Sequence, residues 1–201
     1  SGVFSRDMLT FIAPDDADSK ELKNIVAVDP ATTVDSQKAE ANDSDYWAMV
    51  VVAVHPRHGD IFVQDCHRKR GMGMMEGVKW IKRVAADTSG SVVVEANQAQ
   101  RWLVRELNNA GVGTQPIQST RNKEDRLIDL SVPLANDMIR FIDWDTTEDS
   151  RVNPYDDLIS EMLSFPNGSH DDVLDALWLA VDNSPVSLGG GILGFDPYSD
   201  E

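Results

Sequence analysis

The sequence contains a single cysteine, Cys66, and no long apolar run. One thiol excludes an internal disulfide, gives no support to a zinc knuckle, and suits a reducing compartment. No apolar stretch approaches the roughly 18 residues that a membrane-spanning helix needs. The polar N-terminus also lacks the pattern of a signal peptide. These absences predict a globular protein without a membrane-spanning segment.

Positive charge is scarce as well. The 201 residues include 18 Lys and Arg against 34 Asp and Glu, which gives a formal net charge of −16. This sign is unfavourable for a protein that grips nucleic acid through phosphate contacts. Two interpretations are open: a solvated acidic surface, such as that of a protein from a salt-tolerant source, or carboxylates gathered to hold divalent cations. Local clustering of the acids is what distinguishes them.

No G-x-x-x-x-G-K-[ST] stretch is present, so this chain has no P-loop with which to drive a nucleotide-powered motor. The Ser1-Gly2 start, without Met, is typical of a cleaved tag and predicts an excised fragment. The length suffices for one sizeable domain with its own core. We expect that domain at 23–183, after a lead-in at 1–22 and before a flexible tail at 184–201.

The hydrophobic pattern predicts an α/β domain. Apolar runs at 25–28, 46–54 and 61–65 favour a three-stranded antiparallel meander. Helical spacing then alternates with short apolar runs. Helices are expected at 74–85, at 99–110, at 127–134, from Pro154 and in the stretch 173–181. Strands are expected at 91–95 and 113–119, and a strand or hairpin arm at 138–142. The order predicts a central mixed five-stranded sheet, three antiparallel strands followed by parallel strands, flanked by helices.

Acidic residues stand at the ends of these elements. Asp29 ends the first predicted strand, Glu95 ends the fourth, and Asp171, Asp172 and Asp175 open the last helix. Ligands of α/β sheets collect beyond the strand ends, so neighbouring first and fourth strands would place Asp29 beside Glu95. A helix docked across that edge would add Asp172. Because converging carboxylates repel unless a cation lies among them, the pattern favours a site for a hard divalent ion.

Each acid alone also has an ordinary structural explanation. Asp at a strand end is commonly a turn residue. Asp171 can be a helix cap, and acids in a first helical turn suit the helix dipole. Asp175 lies three residues after Asp172, on the same helix face, so it can be a ligand or a support for one. The joint occurrence of Asp29, Glu95 and the helix-start cluster is the stronger evidence.

Three segments resemble the C-terminal nuclease domain of the large terminase subunit of tailed bacteriophages: "IVAVDPA" (25–31), "VVVEANQ" (92–98) and "LSFPNGSHDDVLDALWLA" (163–180). The resemblance covers most of residues 24–183. It implies an RNase H-like fold, related to RuvC-type resolvases. It also implies a metal-dependent endonuclease that hydrolyses phosphodiester bonds of concatemeric viral DNA during genome packaging.

The resemblance further implies which residues act. Asp29, Glu95 and Asp172 are the catalytic acids and metal ligands, and Asp171 and Asp175 are close supports that also face the metal. Two ions, Mg²⁺ or Mn²⁺, are expected during catalysis. Asp29 would bridge them, Glu95 would position one ion and the attacking water, and Asp172 would hold the other.

The implied partners are double-stranded DNA, the terminase ATPase domain, the small terminase subunit and the portal protein, in the cytoplasm of the host cell. In a full-length terminase an ATPase motor precedes the nuclease. This chain lacks the P-loop of such a motor, so the resemblance implies the nuclease part alone. The acidic balance predicts weak DNA affinity for this chain alone.

A short basic segment is included in the resemblance. In "NKEDRL" (122–127), Lys123 and Arg126, joined by Arg121, would contact the DNA backbone or stabilise charge on the scissile phosphate. The ordinary alternative is a solvated helix face with ion pairs. His170 can take a proton, bind phosphate or simply pack, and a structural role is expected for Asp45.

Two other functions stay open from the sequence. One is a different RNase H-like enzyme, such as a junction resolvase or an integrase, which a four-way junction substrate would distinguish from a terminase nuclease. The other is a non-catalytic module that docks to a portal or motor through residues 184–201, with its acids as ordinary surface. A Mn²⁺ titration separates the second alternative, because such a module needs no metal affinity.

Overall fold

In the computed structural model, residues 2–17, 20–31, 46–97 and 100–184 are described, and their strands form one mixed sheet of seven. The strands are β1 (Phe11–Ile12), β2 (Lys23–Asp29), β3 (Tyr46–Val54), β4 (Ile61–Arg70), β5 (Ser91–Glu95), β6 (Thr114–Ile117) and β7 (Ile139–Ile142). Their order is β1-β7-β4-β3-β2-β5-β6. The α/β class is confirmed, whereas the expected count of five strands was wrong. β1 comes from the predicted lead-in, and β7 is a strand that pairs in parallel with β4 and β1.

Six α-helices connect or cover the described strands: α1 (Met74–Thr88), α2 (Arg101–Asn109), α3 (Lys123–Asp129), α4 (Ser131–Ala135), α5 (Asp156–Ser164) and α6 (Asp172–Asp182). The helix expected at 127–134 is divided at Leu130, and Pro133 lies in the short second piece. Within the described part of the chain, no helix has both the length and the apolar character needed to cross a membrane.

The strand pairing explains why acids from distant parts of the chain meet. β2 pairs antiparallel with β3 and β3 with β4, which confirms the predicted meander. β2 also pairs in parallel with β5, in a register that sets Val28 opposite Val94. Parallel strands end at the same edge of a sheet. Asp29 and Glu95, the residues directly after Val28 and Val94, therefore lie side by side at that edge. The condition for Asp29 to lie beside Glu95, that the first and fourth predicted strands are neighbours, is therefore met.

Helix α6 is the central element of one sheet face. Every residue from Val173 to Val181 is buried, and the helix packs against β2 and β3. Burying a large apolar side chain contributes roughly 1.5–3 kcal/mol, so this run holds the helix firmly on the sheet. α1 and α2 cover the other face, around Val28, Trp47 and Leu103. The anchored α6 begins at the edge where β2 and β5 end.

Strand β4 continues beyond the predicted end at residue 65. Its ladder with β3 runs on to Arg70, which pairs with Tyr46, and the register shifts between Val51 and Val52. The apolar pattern stops earlier, but β3 still supplies hydrogen-bond partners for the backbone. The basic end of β4 therefore lies at the same edge of the sheet as Asp29, which pairs with Ala48 of β3.

Candidate metal centre

Three carboxylates converge at this edge of the sheet. Asp29 ends β2, Glu95 ends β5, and Asp175 lies in the first turn of α6. One oxygen from each lies within 4.8 Å of the other two. Oxygens bound to a common Mg²⁺ or Ca²⁺ lie about 2.0–2.6 Å from it, so this spacing permits a shared ion. Asp175 is only 3% exposed, so burying its negative charge costs more free energy than burying either of the other two.

The other two acids of the α6 cluster lie nearer the surface. Asp172 lines the same cavity of about 280 Å³ as Asp29, Glu95 and Asp175. Asp172 was expected beside Asp29 and Glu95, with Asp175 as a support, whereas the compact group contains Asp175. Asp171 contacts Lys123. Coordination of a metal by Asp171 or Asp172 stays a prediction.

Two cations from α3 neutralise the acids. The Lys123 Nζ lies 2.7 Å from Asp171 Oδ1 and 2.9 Å from Asp175 Oδ2. The Arg126 guanidinium lies 3.1 Å from Glu95 Oε1 and 2.8 Å from Asp175 Oδ1. Lys123 and Arg126 share a helix face because they are three residues apart. Ion pairs, which were the ordinary alternative for this segment, are therefore present, and their partners are acids of the site. Contact of Lys123 or Arg126 with DNA stays a prediction.

Arg126 is held on three sides. Its side chain is 6% exposed, and its guanidinium carbon lies 4.8 Å from the centroid of the Trp178 ring. Among the described residues its Nε has no hydrogen-bond partner. A guanidinium this buried is stable only with its carboxylates in place, so Arg126 and the acids depend on each other.

The remaining residues that were predicted for the site lie outside the ion pairs of Lys123 and Arg126 with the acids, or at their edge. Arg121 pairs with Asp129, at 2.6 Å, and does not line the acid cavity. The His170 ring packs edge-on against Tyr46, with the centroids 5.0 Å apart, and its Nδ1 lies 3.7 Å from Asp172 Oδ2. Asp45 lies outside the described residues.

Asp29 and Glu95 hold their protons more tightly than exposed carboxyl groups do. Burial raises the pKa of Asp29 well above its ordinary value, and the carboxylates of Asp175 and Glu95 raise it further. Burial, followed by Asp175, also raises the pKa of Glu95, although Arg126 acts in the opposite direction. Burial is the largest single influence on Lys123 and would lower its pKa, but the charges and hydrogen bonds of Asp175 and Asp171 together outweigh it and raise that pKa. A divalent ion would therefore compete with protons, and its affinity should fall as the pH falls.

A further buried acid supports the helix that carries Asp171, Asp172 and Asp175. Glu161 of α5 is 3% exposed, and its two oxygens accept the N–H of Val173 at 2.9 and 3.1 Å. This N–H is one of the donors that the first turn of a helix leaves without an internal partner. Burial raises the pKa of Glu161 to about 8, against the effect of the Val173 N–H.

Sequence reasoning did not find Glu161. The available signal was its place on the apolar face of α5, between Leu158 and Met162, both buried. An acid on such a face needs a buried partner, and the partner here is the start of α6.

The sequence matches no family model and no curated protein. Solved structures do match. The large terminase nuclease of the thermophilic phage G20c with bound zinc has a TM-score of 0.62 and 17% identity, covering 90% of this chain and 98% of that chain. The large terminase nuclease domain of Thermus phage P74-26 has a TM-score of 0.62 and 17% identity, covering 97% and 100%. A longer large terminase, from another thermophilic bacteriophage, has a TM-score of 0.63 and 13% identity, covering 90% of this chain and 43% of that one.

At these identities the likeness establishes the fold. The chain has the RNase H-like fold of large-terminase nuclease domains, as the three short motifs implied. Structures of the G20c nuclease hold zinc, cobalt or magnesium, and those ions belong to that protein.

We expect Glu161→Gln to flatten the pH dependence of the unfolding free energy between about pH 4.5 and 8. The raised pKa means that the folded protein keeps a proton that the unfolded chain has lost, so stability is full at low pH and declines as the pH rises towards about 8. At about 1.4 kcal/mol per pKa unit, the wild-type protein should lose up to about 5 kcal/mol more than the variant. Urea unfolding in EDTA at several pH values measures this.

The matched control for that experiment is Glu76→Gln, which neutralises an exposed acid on α1. It should leave the pH profile parallel to that of the wild-type protein. Parallel profiles for Glu161→Gln as well would contradict the role assigned to Glu161.

We expect Arg126→Met to lower the free energy of unfolding in EDTA by about 3 kcal/mol, because it leaves buried carboxylates without their cation. The control is Arg121→Met, which breaks the exposed pair with Asp129 (41% and 28% exposed side chains) and should cost less than about 1 kcal/mol. Equal losses in the two variants would show that the acid group does not depend on Arg126.

Proposed function

We propose that this chain is a metal-dependent endonuclease that hydrolyses phosphodiester bonds of concatemeric viral DNA during genome packaging. One observation carries the proposal: Asp29, Glu95 and Asp175 bring their oxygens within 4.8 Å of one another. They do so in a fold shared with large-terminase nuclease domains. The relatives' name supports the nuclease activity, and the acid group supports its dependence on metal.

The donor set fits Mg²⁺ or Mn²⁺. All three donors are carboxylate oxygens, the ligand type that these hard ions prefer over thiolate or imidazole. We propose that Asp29, Glu95 and Asp175 hold one ion, and that Asp172, with Asp171 beside it, faces a second. Bound as a pair, such ions activate water and stabilise the leaving oxygen of a phosphodiester.

The chain's own residues would then divide the remaining work. Glu95 keeps a quarter of its side chain exposed (25%) and can orient the attacking water, while its other contact is with Arg126. Arg126 is too buried to leave the acids, so its proposed role is to hold Glu95 and Asp175 in position. Lys123 exposes 44% of its side chain, and we propose that it turns from the acids to the scissile phosphate when DNA binds.

The wider setting is part of the same proposal. Double-stranded DNA is the substrate, with Arg121 as a further contact to its backbone. The terminase ATPase domain, the small terminase subunit and the portal protein are the partners, in the host cell cytoplasm. The longer phage terminase described above is the kind of protein in which such a nuclease occurs, since the match covers 43% of it.

We expect Asp29→Asn to abolish Mn²⁺-dependent plasmid cleavage and to reduce Mn²⁺ binding in calorimetry at least about 100-fold, because it removes a charged ligand of the compact group. Asp175→Asn should do the same, because both residues belong to that group. Asp172→Asn should lose cleavage but retain binding of one ion. Mn²⁺ affinity of the wild-type protein should rise with pH, because the raised pKa values of Asp29 and Glu95 make protons the competitor.

Asp87→Asn is the matched control, because Asp87 is exposed on α1, whose end lies away from this edge; it should leave cleavage and binding unchanged. The proposal fails if Asp29→Asn cleaves as well as the wild-type protein. Preference for a four-way junction over linear duplex would instead indicate a resolvase.

A further inference from the structure

The end of β4 is the densest run of basic residues in the chain: His67, Arg68, Lys69 and Arg70 are consecutive. In a protein with a net charge of −16, four such residues at one strand end call for a physical reason. The run does not lie on an outer helix face. It is part of the ladder between β3 and β4, at the same sheet edge as the acids.

The register places part of this run beside Asp29. Ala48 of β3 pairs with Asp29 on one side and with Arg68 on the other. Adjacent strands lie about 4.8 Å apart, so the Cα atoms of Asp29 and Arg68 are about 10 Å apart. Paired residues of antiparallel strands project to the same face. Arg68 therefore emerges on the face of Asp29, and so does Arg70, two residues further along β4.

Tyr46 joins the acids to these arginines. It lines the acid cavity together with Asp29. The Arg68 guanidinium carbon lies 4.6 Å from the centroid of the Tyr46 ring, and that of Arg70 lies 5.8 Å from it. Asp157 of α5 fixes Arg68 further, at 3.2 Å. The guanidinium groups are thus held in place without being part of the acid group.

Lys69 does not belong to this arrangement. It pairs with Trp47 and lies over the Trp80 ring, at 4.6 Å, on the opposite face of the sheet. Alternation along the strand therefore selects Arg68 and Arg70 from the basic run.

A nuclease site made of acids has to attract a polyanion. Arg126 is buried against carboxylates of the site, and Lys123 is assigned to the scissile phosphate. Positive charge for the adjacent phosphates therefore has to come from other residues nearby. Arg68 is near enough to supply it, because only Ala48 separates its position in the sheet from that of Asp29. Arginine also suits phosphate, because its planar group can donate two parallel hydrogen bonds.

We propose that Arg68 and Arg70, ordered by Tyr46, form a subsite for DNA backbone phosphates adjacent to the scissile one, on the β4 side of the acids. This inference rests on the proposed function and specifies the path of the substrate. The DNA strand would pass from the acid cavity over Tyr46 to the end of β4.

The test is binding of a short fluorescent duplex to the 201-residue chain in EDTA, by anisotropy over a range of salt concentrations. Arg68→Gln/Arg70→Gln should weaken binding at least about 10-fold at low salt. It should also reduce the slope of log affinity against log salt by about 2, because two phosphate contacts are lost. Lys82→Gln/Arg83→Gln removes the same charge from exposed positions on α1 and should leave the slope unchanged.

Two further variants separate phosphate binding from folding. Arg70→Gln alone leaves the Arg68–Asp157 pair intact and should reduce the slope by about 1. Arg68→Lys/Arg70→Lys should restore most of the slope, which a purely structural role for these arginines would not predict. In Mn²⁺-dependent cleavage, the double Gln variant should raise KM with kcat largely retained.

The inference is overturned if the double Gln variant binds and cleaves like the wild-type protein. It is also overturned if only Arg101→Gln/Arg105→Gln reduces the slope, since these arginines line a cavity of about 540 Å³ along α2, beyond Glu95. In both cases the wild-type protein still cleaves, and the proposed function stands. A wild-type protein that neither cleaves with Mn²⁺ nor binds duplex contradicts both.

Discussion

The burial of Asp175 is the constraint on which the rest of the site depends. It is the charged residue within a run of α6 that is otherwise packed as core, and it is 3% exposed. A carboxylate there is unfavourable unless cations face it. Lys123 and Arg126 meet that need in the free protein. They also connect α3, α6 and the end of β5 into one unit.

This arrangement couples stability to the chemistry we propose. The packing that fixes α6 on β2 and β3 also fixes Asp175 next to Asp29 and Glu95. Glu161 adds a second buried acid, on α5, at the helix start. A divalent ion would replace part of the positive charge that Lys123 now supplies, and would free this lysine for a phosphate. Under the proposed function, the same atoms would serve folding before metal binds and catalysis afterwards.

Much of this could be predicted from the sequence, for physical reasons. Asp29 and Glu95 each end an apolar strand, and parallel pairing of β2 with β5 brings such ends together. The choice between Asp172 and Asp175 could not be made, because both lie on one helix face and only the docking of α6 decides which is buried. The end of β4 was missed because residues 67–70 lack apolar alternation, while β3 completes their backbone hydrogen bonds. The pair in β1 is too short to leave a pattern.

The most direct test of the account is the position of manganese in a crystal of this chain soaked with Mn²⁺, located by anomalous scattering. The account predicts an ion bound by oxygens of Asp29, Glu95 and Asp175, with the Lys123 ammonium displaced from Asp175. Manganese found only at surface acids, with Lys123 and Arg126 still paired to Asp175, would contradict it.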